Sequence, residues 1–196
     1  MTNDPSNFNE AMDNCEAHMK EGLGAWAASE LRDSVDYARR FCESPIELLF
    51  FIGWEAVATC QSLSDYGHEL AFPHRLDDEE TIDNRFGASD LDVLEPQKQI
   101  GPYRVDFLIT RFAYELTKTR GEEMRRRNRL IIECDGFEYH DADKKRASAD
   151  RSRDRELQSQ GFHVFRFSGA QLYRDNWACA VEAFDFLNKH NLRNGS

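Results

Sequence analysis

Four short runs in the second half of the chain have the composition of β-strands, and this pattern limits the fold more than any other feature. The first two, "QKQIG" and "YRVDFLIT", flank the turn signal Gly101-Pro102, and "RLIIECD" and "GFHVFRFS" follow. They are rich in β-branched and aromatic residues and are bounded by charged or turn-forming residues. A polar, arginine-rich stretch at 143–160 predicts a helix between the third and fourth strands, which Gly161 is expected to end.

Helical patterns lie on both sides of these strands. Ser44-Pro45 is typical of a helix start, and the run after it, "IELLFFIGWEAVATC", is apolar on most sides and predicts a heavily buried helix. Apolar residues at helical spacing predict a last helix over 176–190. The expected fold is therefore α/β, with a mixed four-stranded sheet flanked by helices in the order αβββαβ.

The first part of the chain predicts an additional helical region. Residues 8–41 have the pattern of one or two amphipathic helices, broken near Gly22 and Gly24. We therefore expect an N-terminal helical extension over 1–43 and one domain over 44–196. The acidic stretch 74–95 is interrupted by turn residues and predicts a loop or an insertion.

The composition excludes several classes of protein. With 40% hydrophobic and 31% charged residues, the chain is expected to be soluble and globular. No apolar run approaches the roughly 20 residues of a membrane helix, so no membrane partner is expected. The five cysteines are scattered without a Cys-x-x-Cys pair, which argues against a zinc site and favours a reducing, cytoplasmic location.

The distribution of charge leaves two interpretations open. The net charge of −11 argues against a nucleic-acid partner, but the acidic excess lies in residues 1–100. Basic residues concentrate in "RRRNR" (125–129) and "KKRASADRSRDR" (144–155). Such clusters suit phosphate contacts, and a solvated helix face explains them equally well. The candidate contacts to phosphate or DNA are Lys144, Lys145, Arg151 and Arg153.

Three carboxylates lie inside the apolar strands, where an unpaired charge is costly. Asp106 is in "VDFLI", and Glu133 and Asp135, two residues apart and therefore on one face, are in "IIECD". If the two strands are neighbours, the three acids converge and form a candidate site for Mg²⁺ or Mn²⁺. Alternatively, some of them lie at solvated strand ends or pair with arginine.

Three further residues are candidates for catalysis, each with a plainer alternative. His140 has a pKa near neutrality and is a candidate general base, although a lone loop histidine is more often structural. Glu47 lies in the first turn of the buried helix, where compensation of the helix dipole also explains it. Asp154 lies on the arginine-rich helix, where a surface position is the alternative.

These residues resemble a known superfamily in their order and spacing. The segments "IIECDGFEYH" and "RDRELQSQGFHVFRFSGAQL" resemble the restriction-endonuclease-like, PD-(D/E)XK, proteins over roughly residues 44–175. They look closest to the branch that contains very-short-patch mismatch repair endonucleases and EDxHD nucleases. The resemblance implies a restriction-endonuclease-like core, with Glu47 matching the acid of the first core helix.

The resemblance also implies roles for five other residues. Asp106 matches the metal-binding Asp, and Glu133 falls at the second metal carboxylate. Asp135 stands where the superfamily has Lys and the mismatch repair branch has His. His140 matches the likely base of that branch, and Asp154 matches the acid that orients it or a metal-bound water. Without a Lys at position 135, the role of base shifts to His140, and Glu133 and Asp135 are alternative candidates for the second metal ligand.

The expected function is a metal-dependent endonuclease that hydrolyses DNA. The basic segment 111–129 is expected to be an exposed hairpin tip that touches DNA. The alternative is a catalytically inactive nuclease-fold module that binds a protein partner or nucleic acid. The N-terminal helices are candidates for homodimer or partner contacts, and the structural zinc site of the mismatch repair enzymes is not expected.

Overall fold

The computed structural model describes residues 5–23, 25–64, 68–71, 90–117, 121–136 and 144–191. Within these ranges the chain forms five helices and five strands. They are, in chain order, α1 (Pro5–Leu23), α2 (Ala25–Ala38), α3 (Pro45–Ser64), β1 (His68–Ala71), β2 (Asp90–Ile100), β3 (Tyr103–Thr117), β4 (Gly121–Asp135), α4 (Lys144–Ser159), β5 (His163–Ser168) and α5 (Gly169–Asn191).

The strands form one mixed sheet in the order β1-β2-β3-β4-β5. Strand β3 runs antiparallel to both of its neighbours, β2 and β4, whereas β5 runs parallel to β4 and β1 runs parallel to β2. The four strands from β2 to β5, with α3 before them and α4 between β4 and β5, confirm the expected αβββαβ order. Strand β1 is an additional edge strand that the sequence did not indicate.

Two expectations about the strands were wrong in part. Strand β2 begins at Asp90, so residues 90–95 are strand rather than loop, while residues 72–89 lie outside the described part. The segment 111–129 continues β3 and β4, which pair as far as Thr117 and Gly121. Arg111, the first residue of this segment, is fully buried in an ion pair with Asp92, so the segment is not exposed along its whole length.

Helices cover both faces of the sheet, as expected. On one face, α3 and α5 pack in the main hydrophobic core, where the Phe50 ring lies 5.5 Å from that of Phe107 and 5.8 Å from that of Phe167. On the other face, Leu157 at the end of α4 packs with Ile131 of β4. Burial of these apolar side chains is the main force that holds the helices on the sheet.

The N-terminal helices pack onto the same core. The break between α1 and α2 falls between Leu23 and Ala25, at the predicted glycines, and Met12, Leu31 and Val35 join α3 and α5 in the main cluster. The domain boundary at residue 43 stays a prediction. All five cysteines are free, and none of the described helices combines the length and apolar character needed to cross a bilayer.

Helix α4 ends at a glycine as predicted, whereas helix α5 begins earlier than predicted. Gly161 has a φ of 82°, and the Phe162 N–H donates to the Leu157 carbonyl at 3.1 Å, which confirms the predicted glycine end of α4. Helix α5 starts earlier than expected and is interrupted at Asp175, whose φ of −162° and ψ of 81° are not helical. The predicted helix over 176–190 therefore corresponds to the part of α5 after this break.

Candidate active site

The candidate site lies where β3 and β4 separate. The antiparallel pairing of the two strands ends at Phe107 and Ile132, and Asp106 and Glu133 are the next residues on each strand. The backbone N–H of Cys134 donates to Asp106 Oδ2 at 2.7 Å. A buried N–H that loses its strand partner needs another acceptor, and this carboxylate supplies it. The contact holds Asp106 in the gap between the strands, beside Glu133.

Gln97 lies on β2 opposite Asp106, between two positions that pair with β3. Its φ of 51° lies in the left-handed region, which costs a residue other than glycine about 1 kcal/mol or more. Gln97 Nε2 donates to Glu47 Oε2 at 2.8 Å. Gln97 Oε1 is buried and has no hydrogen-bond partner among the described residues. The Gln97 side chain therefore links α3 to the site from a strained backbone position, and its Oε1 is an unused hydrogen-bond acceptor.

Glu47 lies at the start of α3 and close to Asp106. Ser44 caps the start of α3: the Glu47 N–H donates to Ser44 Oγ at 3.3 Å, and the Ser44 hydroxyl donates to Glu47 Oε1 at 2.7 Å. The Glu43 N–H donates to Glu47 Oε2 at 2.8 Å. The buried carboxylate is also close enough to Asp106 for its charge to act on that residue.

The pKa values of two carboxyl groups reflect burial among like charges. The pKa of Asp106 is raised to about 6, mainly by burial and also by the charges of Glu47 and Asp135, against the opposing effects of the Cys134 N–H and the charge of Arg153. Burial likewise raises the pKa of Glu133 to about 7 and outweighs the opposing charge of Arg153. Both groups therefore ionise at a cost that a bound cation would reduce.

Two arginines from the neighbouring elements neutralise the acids of β4. Arg153 of α4 pairs with Glu133 at 2.5 Å. Arg166 lies opposite Glu133 in the β4–β5 pairing and donates to Asp135 at 3.3 Å and to Asp154 at 2.9 Å. The alternative that these acids pair with arginine is therefore present in the structure.

The structure brings some of the predicted site residues together and leaves others apart. Asp106 lies within electrostatic reach of Glu47, Glu133 and Asp135. Asp154 is engaged with Arg166. Among the predicted phosphate contacts, the Arg151 side chain is exposed on α4, whereas that of Arg153 turns inward to Glu133. His140 and the side chains of Lys144 and Lys145 lie outside the described residues.

The donor chemistry of this cluster suits a hard divalent cation, since Mg²⁺ and Mn²⁺ prefer carboxylate oxygens. The pKa of Asp106 is raised first by burial and then by the neighbouring acids Glu47 and Asp135. In the described ranges, however, no three His, Cys, Asp or Glu side chains lie close enough together to hold a metal ion. The carboxylates are therefore of the right chemical type for such a cation, but the Glu133 carboxylate is paired with Arg153.

The sequence analysis missed two residues of the site. Arg166 is a charged residue inside the apolar run "VFRFS", so the criterion that selected Asp106 would also have selected it. Gln97 carries no such signal, because neither its left-handed backbone nor its contact with Glu47 follows from local sequence.

The family comparison agrees with this geometry. The model of a restriction-endonuclease-like family, REase_MTES_1575, matches residues 79–187, which is more than half of the chain. The chain belongs to this family. The matched region contains Asp106, Glu133 and Asp135, and it confirms the resemblance to the superfamily. No curated protein and no solved structure matches the chain.

Proposed function

We propose that the protein is a metal-dependent endonuclease that hydrolyses DNA phosphodiester bonds. The observation that carries this proposal is the position of Asp106 and Glu133 on adjacent strands where β3 and β4 separate, in a chain of a restriction-endonuclease-like family. Asp106 and Glu133 or Asp135 would hold Mg²⁺ or Mn²⁺. The closer kinship with the very-short-patch repair and EDxHD branch is part of the proposal and rests on the sequence motifs.

The metal, when bound, would stabilise the charge that develops on the phosphate and lower the pKa of the attacking water. The chain's own residues would do the remaining work. The Cys134 N–H orients Asp106, and Gln97 holds Glu47 beside it. In the absence of a lysine at position 135, His140 is the proposed general base. The exposed Arg151, with Lys144 and Lys145, is a proposed contact to DNA phosphates.

A cleavage assay on the full chain tests this proposal. Plasmid DNA and an RNA of similar length are incubated with the protein and Mg²⁺ or Mn²⁺, beside Asp106→Asn. We expect DNA cleavage that falls at least roughly 100-fold in the variant, as for loss of a metal ligand or its support. Asp185→Asn makes the same change of charge at an exposed site and serves as the matched control. Cleavage that persists in Asp106→Asn would show that the assignment is wrong, and a preference for RNA would change the substrate.

A second candidate function is a nuclease-fold module that binds without cutting. It is favoured by the pairing of Glu133 with Arg153 and by the net charge of −11. Binding of labelled DNA or of a partner protein without cleavage under any metal condition would support this alternative. Homodimer or partner contacts through α1 and α2, and a cytoplasmic location, stay proposals of the same standing.

A further inference from the structure

Glu133 and Arg153 form a nearly buried ion pair at the centre of the candidate site. The two side chains are 9% and 18% exposed, and Arg153 Nη2 lies 2.5 Å from Glu133 Oε1. Glu133 is also a proposed metal ligand. The position that a cation would need beside this carboxylate is thus taken by a guanidinium group in the free protein.

Arg153 uses only some of its hydrogen-bond donors in the site. The nitrogen Nη2 makes both contacts, to Glu133 and to the Arg104 backbone carbonyl at 2.9 Å. Its Nε is buried and has no hydrogen-bond partner in the described part of the chain. An arginine binds most strongly when two nitrogens face two oxygens of one carboxylate or phosphate. Arg153 therefore keeps donors that its present partners do not use.

Arg166, the other arginine of the site, is bound quite differently. All three of its side-chain nitrogens donate: Nη2 and Nε to Asp154 at 2.9 and 3.3 Å, and Nη1 to Asp135 at 3.3 Å. This arginine joins α4, β4 and β5 through two carboxylates. It has the contacts of a structural link, whereas Arg153 has the contacts of a group that can exchange partners.

We propose that Arg153 and a divalent metal compete for Glu133, and that a phosphate of the nucleic acid draws Arg153 away so that metal and substrate bind cooperatively. This inference rests on the proposed nuclease function. A metal at Glu133 with Arg153 still in place would put two cations side by side. A phosphate offers Arg153 the paired oxygens that the free protein lacks. By linkage, the metal must then strengthen nucleic-acid binding by the same factor as the nucleic acid strengthens metal binding.

Metal binding to the full-length protein without nucleic acid tests the competition directly. Binding of Mn²⁺ is measured by electron paramagnetic resonance for the native chain, Arg153→Gln and Lys189→Gln. Lys189 is 76% exposed on α5, so its replacement matches the change of charge away from Glu133. We expect Arg153→Gln to bind Mn²⁺ about tenfold more tightly than the native chain, within the usual range of coupling, and Lys189→Gln to be unchanged. Equal or weaker binding by Arg153→Gln overturns the proposal.

A second measurement on the native chain keeps the test valid if Arg153→Gln does not fold. The affinity for a fluorescently labelled DNA duplex is measured by anisotropy with and without Ca²⁺, a hard cation that also seeks carboxylates. We expect Ca²⁺ to increase this affinity about tenfold, and an unchanged affinity overturns the proposal. If no variant binds metal, the proposed function fails as well. If the native chain binds Mn²⁺ through Asp106 and Arg153→Gln binds it equally, the competition alone fails.

Discussion

Replacement of Asp106 by asparagine should make the metal-free protein more stable at neutral pH. The Asp106 carboxyl is partly buried among other acids, and its pKa is raised from 3.8 to about 6. The folded state therefore favours the protonated form, and stability that is present below pH 4 is lost as the pH rises through 6. Asparagine does not titrate, and it keeps an oxygen that can accept the Cys134 N–H.

The size of the effect follows from the shift in pKa. A shift of roughly two units corresponds to about 3 kcal/mol, and screening by water at this partly exposed group reduces it to about 1–2 kcal/mol. Urea unfolding of the native chain and Asp106→Asn at pH 4, 5, 6, 7 and 8 should give curves that diverge upward from pH 4. Saturating Mg²⁺ at pH 8 should stabilise the native chain and reduce the difference.

Two results would refute this reasoning. If the difference in unfolding free energy between the native chain and Asp106→Asn is the same at pH 4 and pH 8, ionisation of the Asp106 carboxyl does not destabilise the fold. A variant that is less stable than the native chain at pH 8 without metal would mean that the ionised carboxylate stabilises the fold. The exposed variant Asp185→Asn controls for the change in net charge, since its carboxylate lies 3.9 Å from Lys189 at the surface.

Three further predictions concern residues around and beyond the site. Gln97→Gly should lower the cleavage rate but change the free energy of unfolding in urea by only about 1–2 kcal/mol. Glycine relieves the strain of the left-handed backbone, which offsets part of the lost hydrogen bond to Glu47. An unchanged cleavage rate would show that Gln97 does not belong to the site. Arg111→Leu should cost about 3–5 kcal/mol in the same assay because it removes the ion-pair partner of the buried Asp92 carboxylate, and the double variant with Asp92→Leu should recover most of the loss. Equal losses in the single and double variants would contradict this. Gly161→Ala should cost about 1 kcal/mol, measured as a lower midpoint of unfolding, because its φ of 82° disfavours a side chain; an unchanged midpoint would contradict it.

The sequence predicted those parts of the fold that depend on local chemistry. The serine-proline start of α3, the turn at Gly101-Pro102 and the glycine end of α4 are short-range signals, and the structure has all three. The acids of β3 and β4 were visible because a charge inside an apolar strand is unusual at any position in a fold. These features required no knowledge of which strands are neighbours.

The remaining features depend on contacts between distant segments. Arg166 reaches Asp135 and Asp154 because β5 pairs in parallel with β4, and this register is set by packing over the whole sheet. The pairing of Glu133 with Arg153 likewise depends on the angle at which α4 crosses the sheet. The length of β2 was underestimated because its first part, "DLDVLEP", is acidic and contains proline, a composition that is depleted in strands.

The buried ion pair of Asp92 and Arg111 affects which register of β2 on β3 is stable. The two residues lie directly opposite each other on β2 and β3, both side chains are fully buried, and Arg111 also lies over the Phe184 ring at 4.4 Å. A slip of β2 by one residue would turn Asp92 to the other face of the sheet and break its ion pair with Arg111. The same slip would move Gln97 away from Asp106. The pair therefore disfavours the wrong register, because a chain with β2 shifted would lose this buried ion pair as well as the arrangement of the site.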